Sequence, residues 1–279
     1  MKRLLAIGAL ALATVSLAMQ IPAPSALRRC LDDMNDLFQT SPAFEDGTYR
    51  VKLWTPMPKV VFLLFEKQTA LTKTFLRFQE HFESPRFRQA VFSYKEFVQW
   101  YRADRKADRF TYLTDWSGMN FPSSNLVPFW RGDFNPLSER ERWLLKLLKP
   151  YGSEFYLIAT FSDPNGRIDG GMMSTIRHEL SHSLYFLEPA YRDNVKKILA
   201  RVDTAPIASI FDRRGGYHPS VYEDEFHAYL LNDSDRLEKW GLDLAPYTPA
   251  IRELNELFES EYAAWKAKHL PKADQSAEP

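Results

Sequence analysis

The run His178-Glu179-Leu180-Ser181-His182 constrains the fold more than any other feature of the chain. On an α-helix, residues four positions apart lie on the same face, so the two imidazoles would point the same way with the carboxylate of Glu179 beside them. Neutral imidazoles are common zinc ligands, and a neighbouring carboxylate can take a proton from water. The run therefore predicts a helix that carries a zinc site and a general base.

A third ligand has to come from another segment of the chain, because zinc sites of this kind use three protein ligands and keep one position open. The acidic run at residues 222–229 is the best source, since it follows Pro219 with helical spacing and embeds its acids among Tyr, Phe and Ala. We choose Glu225. Glu223, His218 and His227 remain alternatives.

This combination resembles the gluzincin type of zinc metallopeptidase, in which HExxH supplies two ligands and a Glu on a later helix supplies the third. The resemblance implies a zincin-like fold and a bound Zn²⁺ held by His178, His182 and Glu225. It also implies that Glu179 is the catalytic base. It covers only residues 175–185 and 222–229.

The resemblance is incomplete after the third ligand. Several gluzincin families follow that Glu with xxAD, and Ala228 matches the pattern, but Tyr229 occupies the position of the Asp. That Asp normally orients a ligand imidazole through a hydrogen bond. Asp224, Glu223 or a backbone carbonyl would have to replace it here.

Zinc hydrolases also need a donor for the oxyanion that develops in the transition state. We expect Tyr229 or Tyr222 to supply this hydrogen bond, because both belong to the segment that carries Glu225. Tyr185, Tyr217 and His218 are further candidates, and each of them is equally compatible with a purely structural role.

The N-terminus has the pattern of a secretory signal peptide. Lys2 and Arg3 precede an apolar run that ends with small residues near Ala18. We expect cleavage after residue 18, secretion or a periplasmic location, and no stable membrane insertion afterwards. An uncleaved N-terminal anchor is the alternative.

Composition narrows the partners of the chain. Its 36 basic and 36 acidic residues give a net charge of zero, so the chain has no excess of positive charge to attract nucleic acid. The single cysteine, Cys30, excludes an intramolecular disulfide. The expected partner is a peptide or protein substrate.

Hydrophobic spacing and capping signals predict an α+β fold, with a mixed sheet and helices in residues 26–165, a helical catalytic region in residues 166–270 and a flexible tail in residues 271–279. Strands are predicted at 60–65, 110–116 and 154–161. Helices are predicted at 66–82, after the capping boxes that begin at Ser93 and Ser138, and at 172–187, 189–202, 219–231 and 249–269.

Two segments have more than one interpretation. Residues 154–161, placed just before the catalytic helix, are either an edge strand along which an extended peptide pairs or a central strand. Residues 115–122 are either the rim of a cleft or a packed loop.

These observations predict an exported zinc-dependent hydrolase, and we prefer the interpretation that it is a metallopeptidase. The alternative is a catalytically inactive, zinc-stabilised binding protein of the cell envelope. An intact Glu179 favours the enzyme, because metal binding alone requires no base beside the ligands.

Overall fold

The computed structural model describes residues 43–45, 50–57, 59–163, 168 and 170–269, with side chains described for residues 59–163, 168 and 170–265. The predicted signal peptide and tail lie outside these ranges, as does the boundary between the two predicted regions near residue 165. Within the described ranges, every helix is too short or too polar to cross a membrane.

The described strands form one mixed sheet in the order β1-β2-β3-β5-β4. The neighbours β3 and β5 run parallel, with Phe62 opposite Ile158, whereas the other pairs are antiparallel. Strand β4 is therefore an edge strand of the sheet. The bounds are β1 Ala43–Glu45, β2 Arg50–Met57, β3 Val60–Phe65, β4 Gly118–Pro122 and β5 Tyr156–Phe161.

Two helices of the N-terminal half begin at the capping boxes that the sequence predicts, whereas the short helix Val127–Arg131 was not predicted. The hydroxyl of Ser93 accepts a hydrogen bond from the backbone N–H of Glu96, whose carboxylate accepts one from the backbone N–H of Ser93. Ser138 and Glu141 repeat this arrangement, so both predicted capping boxes are confirmed. The helices are α1 Gln68–Glu83, α2 Tyr94–Asp104, α3 Val127–Arg131 and α4 Glu139–Leu148.

The C-terminal half of the described chain is helical. The four helices predicted there are confirmed within a few residues, while α7 and α9 were not predicted. The bounds are α5 Gly170–Leu187, α6 Pro189–Leu199, α7 Ala205–Arg214, α8 Tyr222–Asn232, α9 Ser234–Lys239 and α10 Thr248–His269.

Both faces of the central strands β3 and β5 are buried, each against a different set of helices. Alternate residues of β3 point to opposite faces: Phe62 belongs to a core shared with the C-terminal helices, and Leu63 belongs to a core shared with the N-terminal helices. Ile158 and Leu157 of β5 divide in the same way. This explains the continuous apolar runs of β3 and β5, and it confirms the α+β class.

One strand prediction is wrong. Residues 110–116 contain a 3-10 turn at Tyr112–Thr114, and the buried ring of Tyr112 packs edge-on against Phe97, with 5.1 Å between ring centres. Those aromatic residues thus serve the core and not the sheet. The strand predicted at 154–161 is confirmed as β5, and its central interpretation holds, because β5 lies between β3 and β4. The helix that carries the histidines therefore follows an internal strand, and the edge strand falls within residues 115–122.

Candidate metal centre

Helix α5 places the two histidines on the face opposite to its anchor in the core. Ile176, Leu180 and Leu184 are fully or almost fully buried in the core that the sheet shares with the C-terminal helices. His178 and His182 point instead toward α8, with ring centres 4.8 Å apart. The helical period thus divides α5 into a packing stripe and a polar stripe.

Helix α8 brings Glu225 between these imidazoles. His178 Nε2 lies 3.7 Å from Glu225 Oε2, and His182 Nε2 lies 3.7 Å from Glu225 Oε1. All three side chains are buried, with exposed fractions of 8% for His178, 1% for His182 and 3% for Glu225. Within the described part of the chain, they form a group whose nitrogen and oxygen atoms could hold a metal ion.

The spacing of these atoms fits a shared cation better than direct contact. A separation of 3.7 Å is too long for a hydrogen bond, which requires about 2.7–3.2 Å. It is close to the roughly 3.4 Å between two ligands of a tetrahedral ion with bonds of about 2.1 Å. His182 Nε2 and Glu225 Oε2 are buried without a hydrogen-bond partner, an arrangement that costs free energy unless a ligand satisfies them.

The other nitrogen of each imidazole faces a carboxylate. His178 Nδ1 donates to Asp233 Oδ2 at 2.7 Å, and Ser174 donates to the second oxygen of Asp233. His182 Nδ1 lies 2.9 Å from Asp224 Oδ1, close enough for electrostatic attraction although the N–H is not aligned for a hydrogen bond. Such acids fix the tautomer that leaves Nε2 available as a ligand.

These contacts also set the charge of the histidines. Burial alone lowers the pKa of His178, but the hydrogen bond with Asp233 and the nearby Glu225 reverse the effect and raise the pKa well above its usual value. For His182 burial again opposes the charged form, and Asp224 and Glu225 raise the pKa. The site thus favours positive charge at its centre, whether from protons or from a cation.

Glu179 lies beside this group and is held by strand β4. Asn120 Nδ2 donates to Glu179 Oε2 at 2.6 Å, and the Tyr156 hydroxyl donates to Asn120 Oδ1 at 2.5 Å, which fixes the amide orientation. A Cβ at Gly118 would lie 2.0 Å from Glu179 Oε1, so only glycine leaves room for this carboxylate. Burial raises the pKa of Glu179, while the two imidazoles oppose the shift.

The other three candidates for the third ligand lie elsewhere. Glu223 bonds to the Tyr185 hydroxyl and lies 3.4 Å from Lys196 Nζ. His218 caps a 3-10 turn, where its Nδ1 accepts the backbone N–H of Ser220. His227 is fully buried on another face of α8, where its Nε2 contacts the Tyr191 hydroxyl.

The structure places only some of the predicted oxyanion donors at the cavity. Tyr229 lines the same cavity as His178, with its ring edge-on to the imidazole at 5.0 Å between centres, and its hydroxyl lies 3.2 Å from that of Tyr217. Tyr222 is not brought to the site: its ring packs on Phe211 and its hydroxyl donates to Asp212. Tyr185 stacks on His227, also away from the cavity.

A cavity of about 720 Å³ lies beside the candidate metal group. Its wall includes His178, Glu179, Glu225 and Tyr229, together with residues 114–118 of the N-terminal half. Residues 115–122 therefore contain both a part of the cavity wall and the edge strand β4.

Sequence reasoning missed several residues of the site. Asp233 follows α8 with no pattern that marks it, and Asn120 lies in an unpredicted strand. Glu83, at the end of α1, lines the cavity and is almost fully buried. Burial raises the pKa of Glu83 well above its usual value, and repulsion from Glu225 adds to the effect.

No protein-family model matches the chain, and neither a curated protein nor a solved structure matches it. Any functional conclusion therefore depends on the geometry of the site itself.

Proposed function

We propose that this protein is a zinc metallopeptidase of the gluzincin type, which hydrolyses peptide bonds. The observation that carries the proposal is the convergence of His178 Nε2, His182 Nε2 and the Glu225 carboxylate at spacings suited to one cation. Two imidazoles and one carboxylate are typical ligands of a catalytic zinc with an open position.

The acids beside the imidazoles support a metal in preference to a simple ion-pair cluster. Asp233 and Asp224 occupy the Nδ1 side of the two rings, so each ring keeps its Nε2 for a ligand. Asp233 takes the orienting role that Tyr229 cannot perform, from a position four residues later in the chain. Bound zinc would polarise the scissile carbonyl and lower the pKa of a water molecule.

Glu179 is the residue we propose as general base. It removes a proton from the attacking water through its carboxylate and later returns a proton to the leaving amine. The hydrogen bond from Asn120 holds one carboxylate oxygen, and the other lies against Gly118 on the cavity wall. The upward direction of the shift in the pKa of Glu179 suits a group that both accepts and donates a proton.

Tyr229 is the donor we propose for the oxyanion. Its position beside His178 puts a hydroxyl on the wall of the cavity, and Tyr217 offers a second hydroxyl next to it. A fixed donor of this kind contributes most where water is excluded, and Tyr229 is only 4% exposed.

The decisive variant is Glu179→Gln. We expect it to retain zinc at the wild-type stoichiometry and to lose roughly 10²–10⁴-fold in kcat/KM on a quenched fluorescent peptide library. Glu223→Gln is the matched control, because Glu223 is a half-exposed acid outside the metal group, and it should leave both values unchanged.

A different result would favour the binding protein of the cell envelope. In that case the zinc-loaded wild type cleaves no peptide, and removal of zinc lowers the melting temperature sharply because the metal holds α5 and α8 together. Export is a further proposal, which depends on the apolar N-terminal pattern alone.

A further inference from the structure

The groups proposed to act on the substrate lie deep in the protein. His178, His182, Glu179 and Glu225 are each at most 8% exposed. A substrate must therefore enter the cavity to reach them, and the shape of that cavity decides which substrates fit.

The edge strand next to Glu179 is partly occupied already. The backbone N–H of Asn120 donates to Gln79 Oε1 at 3.0 Å instead of pointing to a free edge. Gln79 is 4% exposed and belongs to α1, which packs against β4. An extended peptide that pairs with an edge strand needs such backbone groups free. An extended chain therefore cannot pair with the backbone N–H of Asn120 on β4.

A strap, which we define as residues 214–220, joins the two helical layers beside this edge. It connects α7 to α8, yet it bonds to the N-terminal half of the protein. Arg105 Nη1 donates to the carbonyl of Arg214 at 2.7 Å, and the backbone N–H of His218 donates to the carbonyl of Glu83 at 2.7 Å. Arg88 also donates to the Ser220 hydroxyl, at 2.6 Å.

The centre of the strap is pressed against Trp116. Gly216 has a φ of +119°, a conformation that L side chains rarely adopt, and a Cβ there would lie 3.0 Å from the Trp116 ring. Tyr217 packs edge-on against the same ring, with 6.0 Å between centres. Trp116, Arg105, Arg214 and Tyr217 all line the cavity, so the strap forms part of its wall.

From this geometry we propose that the site accepts short peptides or the free end of a chain, and excludes the middle of a long or folded chain. The strap and the C-terminal end of α1 both contribute to the cavity wall, beside the edge strand along which an extended chain would have to run. The volume of about 720 Å³ lies within the roughly 300–1,000 Å³ typical of small-ligand pockets. This inference rests on the proposed peptidase function and specifies its substrate class.

The test compares one cleavable hexapeptide in two forms, free in solution and inserted as a linker between two small folded domains. We expect kcat/KM for the inserted form to be at least 100-fold lower. Trp116→Ala removes the ring under the strap. This variant should reduce the ratio of kcat/KM for the free peptide to kcat/KM for the inserted peptide at least tenfold. Trp130→Ala, an exposed tryptophan outside the cavity, should leave the ratio unchanged.

Arg105 is exposed, and Arg105→Ala removes its hydrogen bond to the carbonyl of Arg214. This variant should also reduce the ratio of free to inserted kcat/KM. The test therefore remains valid if Trp116→Ala does not fold. Equal cleavage of the free and the inserted peptide by the wild type would overturn the proposal. Cleavage of neither form would instead refute the peptidase function.

A second readout measures access without turnover. In cobalt-substituted protein, a hexapeptide with a hydroxamate on a central side chain should change the visible spectrum, whereas the same hexapeptide linked closely at both ends to folded domains should not. Equal spectral changes would overturn the exclusion of long chains even if no peptide bond is cleaved.

Discussion

Replacement of Gly118 by alanine tests whether the position of Glu179 controls activity. The added Cβ would lie 2.0 Å from Glu179 Oε1, 2.8 Å from Glu179 Cδ and 2.8 Å from Thr175 Cγ2. The atoms it meets are the ends of side chains, which can rotate away. The protein should therefore fold, but with its proposed base displaced from the cavity wall.

The size of the effect follows from the required movement. Contacts below 3.0 Å from a Cβ are essentially not observed, so Glu179 Oε1 must move by at least about 1 Å. A misplacement of this size costs roughly 10²-fold in rate, or about 2.7 kcal/mol in the activation free energy. Zinc content should remain at the wild-type value, because none of the nearest atoms is a proposed ligand.

The assay is kcat/KM on a peptide cleaved by the wild type, together with zinc content and the melting temperature. Gly170→Ala is the matched control, since a Cβ at Gly170 meets no atom within 4 Å although it lies on the same helix as Glu179. Wild-type kcat/KM in Gly118→Ala would refute the proposed contact between this glycine and the base.

Three further variants test the surroundings of the site. Asp233→Asn should weaken zinc binding roughly 10–100-fold in a chelator competition assay, because a neutral amide replaces the carboxylate that accepts from His178 Nδ1; an unchanged Kd would contradict that role. Arg77→Met should lower the free energy of unfolding in urea by about 3–5 kcal/mol, because it leaves Glu141 buried without its bidentate partner. Adding Glu141→Leu should restore only part of this loss, because it removes the unpaired carboxylate but also the acceptor of the Ser138 backbone N–H. Burial raises the pKa of Glu80 to about 7 from 4.5, so the folded state binds this proton more tightly and loses stability as pH rises between those values. Glu80→Gln should therefore stabilise the protein by about 3 kcal/mol at pH 8 and by little at pH 4, and equal effects at both pH values would contradict the burial of an acid there.

The parts of the fold that could be predicted from the sequence depend on local spacing. The four-residue interval between His178 and His182 requires only a helix, and capping boxes require only residues three apart. Glu225 could be chosen because its neighbours follow a helical pattern. The structure brings these side chains together through the packing of α5 against α8, which local spacing alone does not determine.

The missed features depend on tertiary packing. Strand β4 has five residues, including a glycine and a proline, and both residue types are rare inside strands, so no strand pattern marks it. Its placement at the edge of the sheet is what makes Asn120 a partner of Glu179. Asp233 reaches His178 only because α8 ends beside the start of α5. The aromatic run at residues 110–116 had the composition of a strand, but its rings fill the core of the N-terminal half.

The most direct test of the metal centre is the zinc content of purified wild-type protein after dialysis, measured beside His182→Ala. The proposal predicts one zinc per chain in the wild type and less than about a tenth of that in the variant, since one of three ligands is lost. Wild-type protein that holds no zinc and takes up none from a buffered zinc solution would contradict it.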